Sequence, residues 1–202
     1  MDTQVDKIFY IIVLIFSIVI HELAHGYAAL HYGDTTAKDA GRLTLNPLPH
    51  IDLFGSIIVP FFLFISGSPY MVGWAKPVPY NPMNLTDEKK GTRAVAMAGI
   101  LANISIALFF SMFIRFGYNF MSPKMIQMSG LIILVNLVLA LFNLLPVPPL
   151  DGSKILSSFL PMRFREIIEY PSIPVMVISF IVAISLWHYL SPFAFAIYNF
   201  LV

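Results

Sequence analysis

IVIHELAHGYAAL, residues 18–30, carries two histidines and a glutamate near the end of a longer apolar run. The run begins at about Ile8 and is long enough for a helix that crosses a bilayer, which requires about 20 residues. Ionisable groups inside a membrane are costly and mark functional sites. His21, Glu22 and His25 are therefore the first candidates for the chemistry of this protein.

The composition of the chain predicts an integral membrane protein. Hydrophobic residues make up 58% of its 202 residues, charged residues make up only 11%, and the mean hydropathy is +0.80. Soluble domains are nearer half apolar and a quarter charged. The formal net charge is +1, so no nucleic-acid-binding surface is expected. The absence of cysteine excludes disulfides and thiolate metal ligands.

Five apolar segments set the expected architecture: residues 8–30, 51–66, 94–118, 126–145 and 173–202. The second is short and contains Gly55 and Pro60, so we expect it to be re-entrant or to lie along the membrane. AGRLTLNP and the proline-rich VGWAKPVPYNPMNL favour a small membrane-associated β-sheet or hairpin. The predicted fold is an all-α membrane bundle of four spanning helices with one re-entrant segment and this small sheet.

The four-residue spacing of His21 and His25 places both imidazoles on one face of a helix, about 40° apart. Two imidazoles so arranged can bind zinc, and Glu22 between them can act on a water activated by the metal. A catalytic zinc site uses three protein ligands. Asp151, which follows the proline-broken NLLPVPPL, is the best third candidate. Its alternative role is to cap the helix that follows.

This ordered set of motifs resembles the site-2 proteases, a family of intramembrane zinc metalloproteases. HELAH and NLLPVPPLDG are similar to its two signature motifs, while GRLTLNPLPHIDLFGS and GWAKPVPYNPMNL resemble its compact subgroup without a PDZ domain. The resemblance extends over about residues 18–155. It implies that His21, His25 and Asp151 bind one Zn²⁺ per chain and that Glu22 is the catalytic base. It also implies a sheet edge that receives an unfolded substrate.

We expect residues 1–202 to form a single integral-membrane metalloprotease domain. Its zinc core covers about residues 8–155, and an interfacial helix with the last span covers about residues 152–202. The interfacial helix is predicted because Lys154, Arg163 and Arg165 alternate with apolar residues.

The predicted function is zinc-dependent cleavage of the transmembrane segments of single-span membrane proteins, as in regulated intramembrane proteolysis. The expected partners are a transmembrane protein or peptide substrate and membrane lipid, without nucleic acid; the sequence identifies no regulator. One alternative is a non-proteolytic zinc-binding membrane protein, either a transporter or a scaffold. Transport favours internal repeats, which the sequence lacks. Another alternative is a zinc hydrolase that acts on a lipid or a prenylated protein.

The distribution of basic residues predicts the orientation in the membrane. Basic residues favour the cytoplasmic side, and they are concentrated in residues 32–93 and 152–170. We therefore expect a protein of a bacterial inner membrane with its N-terminus outside and its active site nearer the cytoplasmic face.

Further polar residues are candidates for a role around the site. Asn143 is expected to bind the substrate backbone or the oxyanion, or else to tie two helices together. Asn103 is expected to contact substrate, or else to tie closely packed helices together. His50 and Asp52 are expected to support the ligands or line the entry, with a local turn as the alternative. Three residues near the expected sheet edge are predicted to contact substrate: Gly41, Leu43 and Trp74.

Overall fold

The computed structural model describes residues 4–66, 74–160, 168 and 172–202. Four helices in this part of the chain are long and apolar enough to cross a membrane, in agreement with the predicted number of spans. The α-helices are α1 (Gln4–His31), α2 (Thr36–Asp39), α3 (Val59–Ile65), α4 (Glu88–Gly117), α5 (Pro123–Asn143), α6 (Asp151–Ser157) and α7 (Ile173–Leu201).

Local sequence signals fix the ends of the spanning helices. The Asp87 side chain accepts a hydrogen bond from the Lys90 N–H and so caps the N-terminus of α4. Ser122 caps α5 in the same way, and Pro123 occupies its first turn, where no N–H is required. α5 ends at Asn143 because prolines follow at 146, 148 and 149 and cannot donate to continue the helix.

The core of the bundle is formed by α1, α4 and α5. Ala107 and Ile114 of α4 pack against Ile133 and Leu137 of α5. By contrast, only 11% of the most apolar stretch of α7 is buried. This helix packs chiefly along α5. A bilayer is the environment that accommodates such an exposed apolar helix.

Contacts between α1 and α5 show that these two helices run parallel. Near their first residues, Lys124 forms an ion pair with Asp6. Further along both helices, Asn136 Nδ2 donates to Ser17 Oγ at 3.0 Å. The segment that follows α5, which contains Asp151, is therefore delivered to the same end of the bundle as the end of α1.

The apolar segment 51–66 forms a π-helical turn, Leu53–Ile58, followed directly by α3. The turn begins where Asp52 Oδ1 accepts a hydrogen bond from the Gly55 N–H at 2.6 Å. This segment is not among the four candidate spans, which agrees with the expectation that it does not cross the membrane. Its re-entrant path stays a prediction.

The predicted β-sheet or hairpin is wrong, because no strand occurs in the described residues. Pro77 and Pro79 remove two donors from the stretch 74–81, and the N–H groups of Lys76 and Val78 bind acceptors outside any ladder. In the other expected strand, the Asn46 N–H turns back to Thr44 Oγ1.

The predicted interfacial helix is described only in part. α6 ends at Ser157, and Arg163 and Arg165 lie outside the described residues.

Candidate metal centre

The last third of α1 brings three side chains with ligand atoms to one place. His21, Glu22 and His25 each offer an atom within 4.8 Å of the other two. The two histidines are 5% and 7% exposed, whereas Glu22 is half-buried. Their convergence follows from the helical repeat, which places residues four apart on one face.

Asp151, the first residue of α6, lies against both histidines. Its Oδ2 atom is 3.0 Å from His21 Nε2 and 3.1 Å from His25 Nε2, and the residue is only 4% exposed. Leu150 occupies the N-cap position of α6, so Asp151 does not fill the capping role considered as its alternative. The proline-rich turn after α5 thus delivers a carboxylate to the face of α1 that carries the histidines.

Helix α4 forms the wall behind the two imidazoles. His25 Nδ1–H donates to the Val95 carbonyl at 2.6 Å, and its Nε2 atom faces Asp151 Oδ2. A Cβ atom placed on Gly99 would lie 2.6 Å from both ring atoms Cε1 and Nε2 of His21. Only glycine at this position therefore lets α4 approach the imidazoles so closely.

Lys154 lies one turn after Asp151 on α6 and contacts the other carboxylate oxygen. Its Nζ is 3.5 Å from Asp151 Oδ1 and 5.8 Å from the centre of the Tyr80 ring. The two oxygens of Asp151 therefore have different partners, since Oδ2 faces the imidazoles and Oδ1 faces the ammonium group.

The Glu22 carboxylate is held by backbone from a distant loop. The Val78 N–H donates to Glu22 Oε2 at 2.8 Å. The Glu22 side chain therefore has a fixed partner that is separate from the two histidines.

Comparison with known proteins assigns the family. The sequence model that describes peptidase family M50 matches residues 118–187, which include Asp151. A Bacillus subtilis protein named as a zinc metalloprotease, YwhC, is 39% identical over 164 residues, which are 78% of this chain and 71% of that protein. The chain belongs to peptidase family M50, the site-2 protease family. It is thus a zinc metalloprotease and an integral membrane protein.

A second relative is also named as a zinc metalloprotease. A Mycolicibacterium smegmatis protein named as a zinc metalloprotease, Rip2, is 29% identical over 140 residues, which cover 67% of this chain and 51% of that protein. No solved structure matches the chain.

The cluster fits the zinc ion that M50 membership implies. Two imidazoles and one carboxylate are an established donor set for zinc sites that keep a further position open for water or substrate. His25 has the N–H to carbonyl bond that orients metal-binding histidines. His21 Nδ1 is buried and has no hydrogen-bond partner in the described part of the chain.

The two candidate asparagines have different surroundings. Asn143, the last residue of α5, donates from Nδ2 to the Leu139 carbonyl of its own helix at 3.0 Å. Asn103 lies one turn after Gly99 and is fully buried, and neither polar atom of its amide has a partner among the described residues. Contact of either residue with substrate stays a prediction.

The three residues expected on the sheet edge have different surroundings in the structure. The Leu43 side chain lies against Gly26, one residue after His25, where a Cβ would be 2.4 Å from Leu43 Cδ2. The Trp74 ring lies against Gly55 and is 52% exposed. Gly41 is exposed and has a positive φ of 65°, which marks a turn rather than a strand. Without a sheet, only their direct contact with substrate can still be predicted.

His50 and Asp52 direct their hydrogen bonds away from the three candidate ligands. His50 Nε2 lies 3.0 Å from the Thr44 carbonyl, and Asp52 Oδ1 accepts from the Gly55 N–H. Both residues therefore organise local turns, and their predicted roles beside the ligands or at the entry stay predictions.

Sequence reasoning missed several groups that contact the cluster: Val78, Val95, Gly99 and Lys154. The Asp–Lys spacing of three in DGSK was a usable signal for the ion pair between Asp151 and Lys154. The other contacts join residues at least 56 positions apart and involve a backbone N–H, a carbonyl and a missing side chain. No local sequence pattern predicts such contacts.

Proposed function

We propose that the chain is a zinc-dependent intramembrane endopeptidase that cuts the transmembrane segments of single-span membrane proteins, as a step in regulated intramembrane proteolysis. The observation that carries this proposal is the convergence of His21, His25 and Asp151 beside Glu22 in a bundle of apolar helices. We assign the first three residues as the ligands of one zinc ion and Glu22 as the general base.

Zinc, when bound, supplies a Lewis acid that polarises the scissile carbonyl and acidifies water. Glu22 then takes a proton from the attacking water, whose oxygen forms a bond to the carbonyl carbon. When the C–N bond breaks, Glu22 passes this proton to the leaving nitrogen. Glu22 is more exposed than the proposed ligands, which suits a group that must meet both water and substrate.

The proposed orientation has the N-terminus outside a bacterial inner membrane and the site nearer the cytoplasm. The substrate must be unwound at the cut, because the peptide groups of a helix are hydrogen-bonded to one another. Leu43 lies beside the end of α1 and Trp74 is exposed, which supports their proposed contact with the unwound segment. Gly41, Asn103 and Asn143 are proposed contacts on the basis of the sequence.

A cleavage screen tests the proposed function. Purified wild-type protein and Glu22→Gln are reconstituted in liposomes with a panel of single-span transmembrane peptides, and zinc per chain is measured for both. We expect wild type to cut at least one peptide within its apolar segment. Glu22→Gln should retain zinc and lose about 10²–10⁴-fold in rate.

Three results would contradict the proposal. Cleavage by Glu22→Gln at the wild-type rate would exclude Glu22 as the base. Zinc-loaded wild type that cuts soluble unfolded proteins and none of the membrane peptides would exclude the substrate class. Zinc uptake into the same liposomes that survives Glu22→Gln would favour the transporter alternative.

A further inference from the structure

Residues 74–81, WAKPVPYN, form neither helix nor strand, and we call this stretch the proline strap. Pro77 and Pro79 have no N–H, so Val78 carries the only backbone donor among residues 77–79. That single donor is the one that binds Glu22 Oε2 at 2.8 Å.

The Val78 side chain fixes the distance between the strap and α1. Val78 is 5% exposed, and its Cγ1 lies 3.0 Å from the position that a Cβ would occupy on Gly26. Gly26 is one turn after Glu22 on the same helix. The side chain and the N–H of Val78 therefore contact α1 at adjacent turns, and together they define where the strap backbone lies.

Anchors on the N-terminal side of Val78 prevent the strap from shifting along α1. The Lys76 N–H donates to the His50 carbonyl at 2.9 Å. The buried Arg42 guanidinium donates to the carbonyls of Lys76 and Pro77 at 2.9 and 3.2 Å. Both contacts lie within two residues of Val78.

On the C-terminal side, the buried Asp34 carboxylate provides the anchor. Its Oδ2 accepts a hydrogen bond from the Asn81 N–H at 2.7 Å. The Val78 N–H is thus held between two fastened segments of backbone, so its direction is set by the fold rather than by Glu22.

We propose that the Val78 N–H positions Glu22 for catalysis, by holding Oε2 so that Oε1 faces the reacting water. This inference rests on the proposed role of Glu22 as the base. A glutamate side chain has three rotatable bonds, and misplacement of a reacting group by about 1 Å can cost about 100-fold in rate. A rigid donor removes that freedom before substrate binds. Val78 is a positioning residue in this account, since it touches neither substrate nor metal.

A comparison of Val78→Pro with Val78→Ala tests the N–H separately from the side chain. Both variants remove the valine side chain, but only proline removes the donor, and proline suits an extended stretch already bounded by prolines. We expect kcat of Val78→Pro to lie about 10- to 100-fold below that of Val78→Ala. The probe is the synthetic single-span peptide that wild type cuts fastest. KM and zinc per chain should match between the two variants, because neither substrate contacts nor ligands have changed.

A second measurement uses zinc-free protein in micelles and requires no activity. With ¹⁵N-valine labelling, the Val78 amide proton should resonate downfield and move upfield in Glu22→Ala, which removes its acceptor. The Val147 amide donates to the Leu145 carbonyl at 2.8 Å and serves as the control that should not move. This comparison decides the contact even where Val78→Pro does not fold.

The outcomes separate this inference from the proposed function. Equal kcat for folded, zinc-loaded Val78→Pro and Val78→Ala would overturn the inference while leaving proteolysis intact. An unmoved Val78 amide in Glu22→Ala would overturn it as well. If zinc-loaded wild type cut no peptide although the amide shifted as expected, the proposed function would fail and the contact alone would stand.

Discussion

Gly99 determines how closely α4 approaches the two proposed histidine ligands. Its missing side chain leaves the space into which His21 and His25 fit, with ring atoms 2.6 Å from the ideal Cβ position. Contacts under 3.0 Å force something to move, and here the groups that would move are the imidazoles. A single methyl group added at this position should therefore change the affinity for zinc.

We predict that Gly99→Ala raises the zinc dissociation constant about 10- to 100-fold, as changes around metal ligands commonly do. Competition with a chelator, with zinc per chain counted afterwards, measures the effect. Gly117→Ala is the matched control in the same helix, because its nearest contact would be the flexible Met121 side chain at 3.3 Å. Wild-type zinc affinity in Gly99→Ala would show that the glycine does not set the ring positions.

The three candidate ligands that lie together in the structure each have a signal in the sequence. His21 and His25 follow from helical spacing, and Asp151 follows from prolines that end α5 at the level of α1. Val95 could not be predicted, because its contribution is a carbonyl that any residue would provide. Gly99 acts through the absence of a side chain, and its partner lies on another helix.

Among the elements, the turn between α1 and α2 fastens the proline strap through Asp34. This fully buried carboxylate accepts hydrogen bonds from Thr36, Asn81 and Asn84. Burial alone would raise the pKa of Asp34, but these hydrogen bonds outweigh it and hold the pKa below its ordinary value of 3.8. A depressed pKa means that the ionised carboxylate favours the folded state at pH above this value. That contribution is lost as the pH falls below 3.8 toward the folded-state pKa.

We predict that Asp34→Asn lowers the Tm near pH 7 by at least about 2–4 °C, which corresponds to about 1 kcal/mol in a domain of this size. The gap between wild type and variant should narrow as the pH falls below about 4, because wild type then loses the same charge. Thermal melts in detergent from pH 7 to pH 3 measure this difference in Tm. Asp39→Asn, at an exposed position on α2, is the control. A gap that is constant with pH would contradict the assigned role of the charge.

The prediction of a sheet was wrong because of how the extended segments find their hydrogen-bond partners. Residues 74–81 form neither helix nor strand, and their alternating prolines favour an extended backbone. What the sequence could not show is that Arg42, Asp34 and Glu22 would take up the remaining backbone groups. An extended segment becomes a strand only when a second backbone is its partner, and here the partners are mostly side chains.

For the whole molecule, the parallel course of α1 and α5 divides the loops between two faces. The turn before α5 lies on the side of the α1 N-terminus, since Lys124 pairs with Asp6. The loop after α1, the proline strap and α6 lie at the opposite end with the candidate metal centre. Because basic residues are more numerous there, we propose that this end faces the cytoplasm.

Cysteine labelling tests this orientation on a chain that has no native cysteine. We predict that Asn119→Cys, in the turn before α5, reacts with a membrane-impermeant maleimide in intact spheroplasts. Lys38→Cys on α2 should react only after permeabilisation, since both positions are exposed but at opposite ends. The reverse pattern would invert the orientation. Labelling of both from one side would refute the parallel arrangement of α1 and α5.

The proposed ligands stand far apart along the chain, with 130 positions between His21 and Asp151. A ribosome that has translated α1, α4 and α5 has made both histidines and the base, but not the carboxylate that joins them. Under the proposed ligand set, a growing chain cannot complete its metal site before Asp151 has been made, which is after these spans. A nascent chain that ends before Asp151 therefore cannot cleave neighbouring proteins.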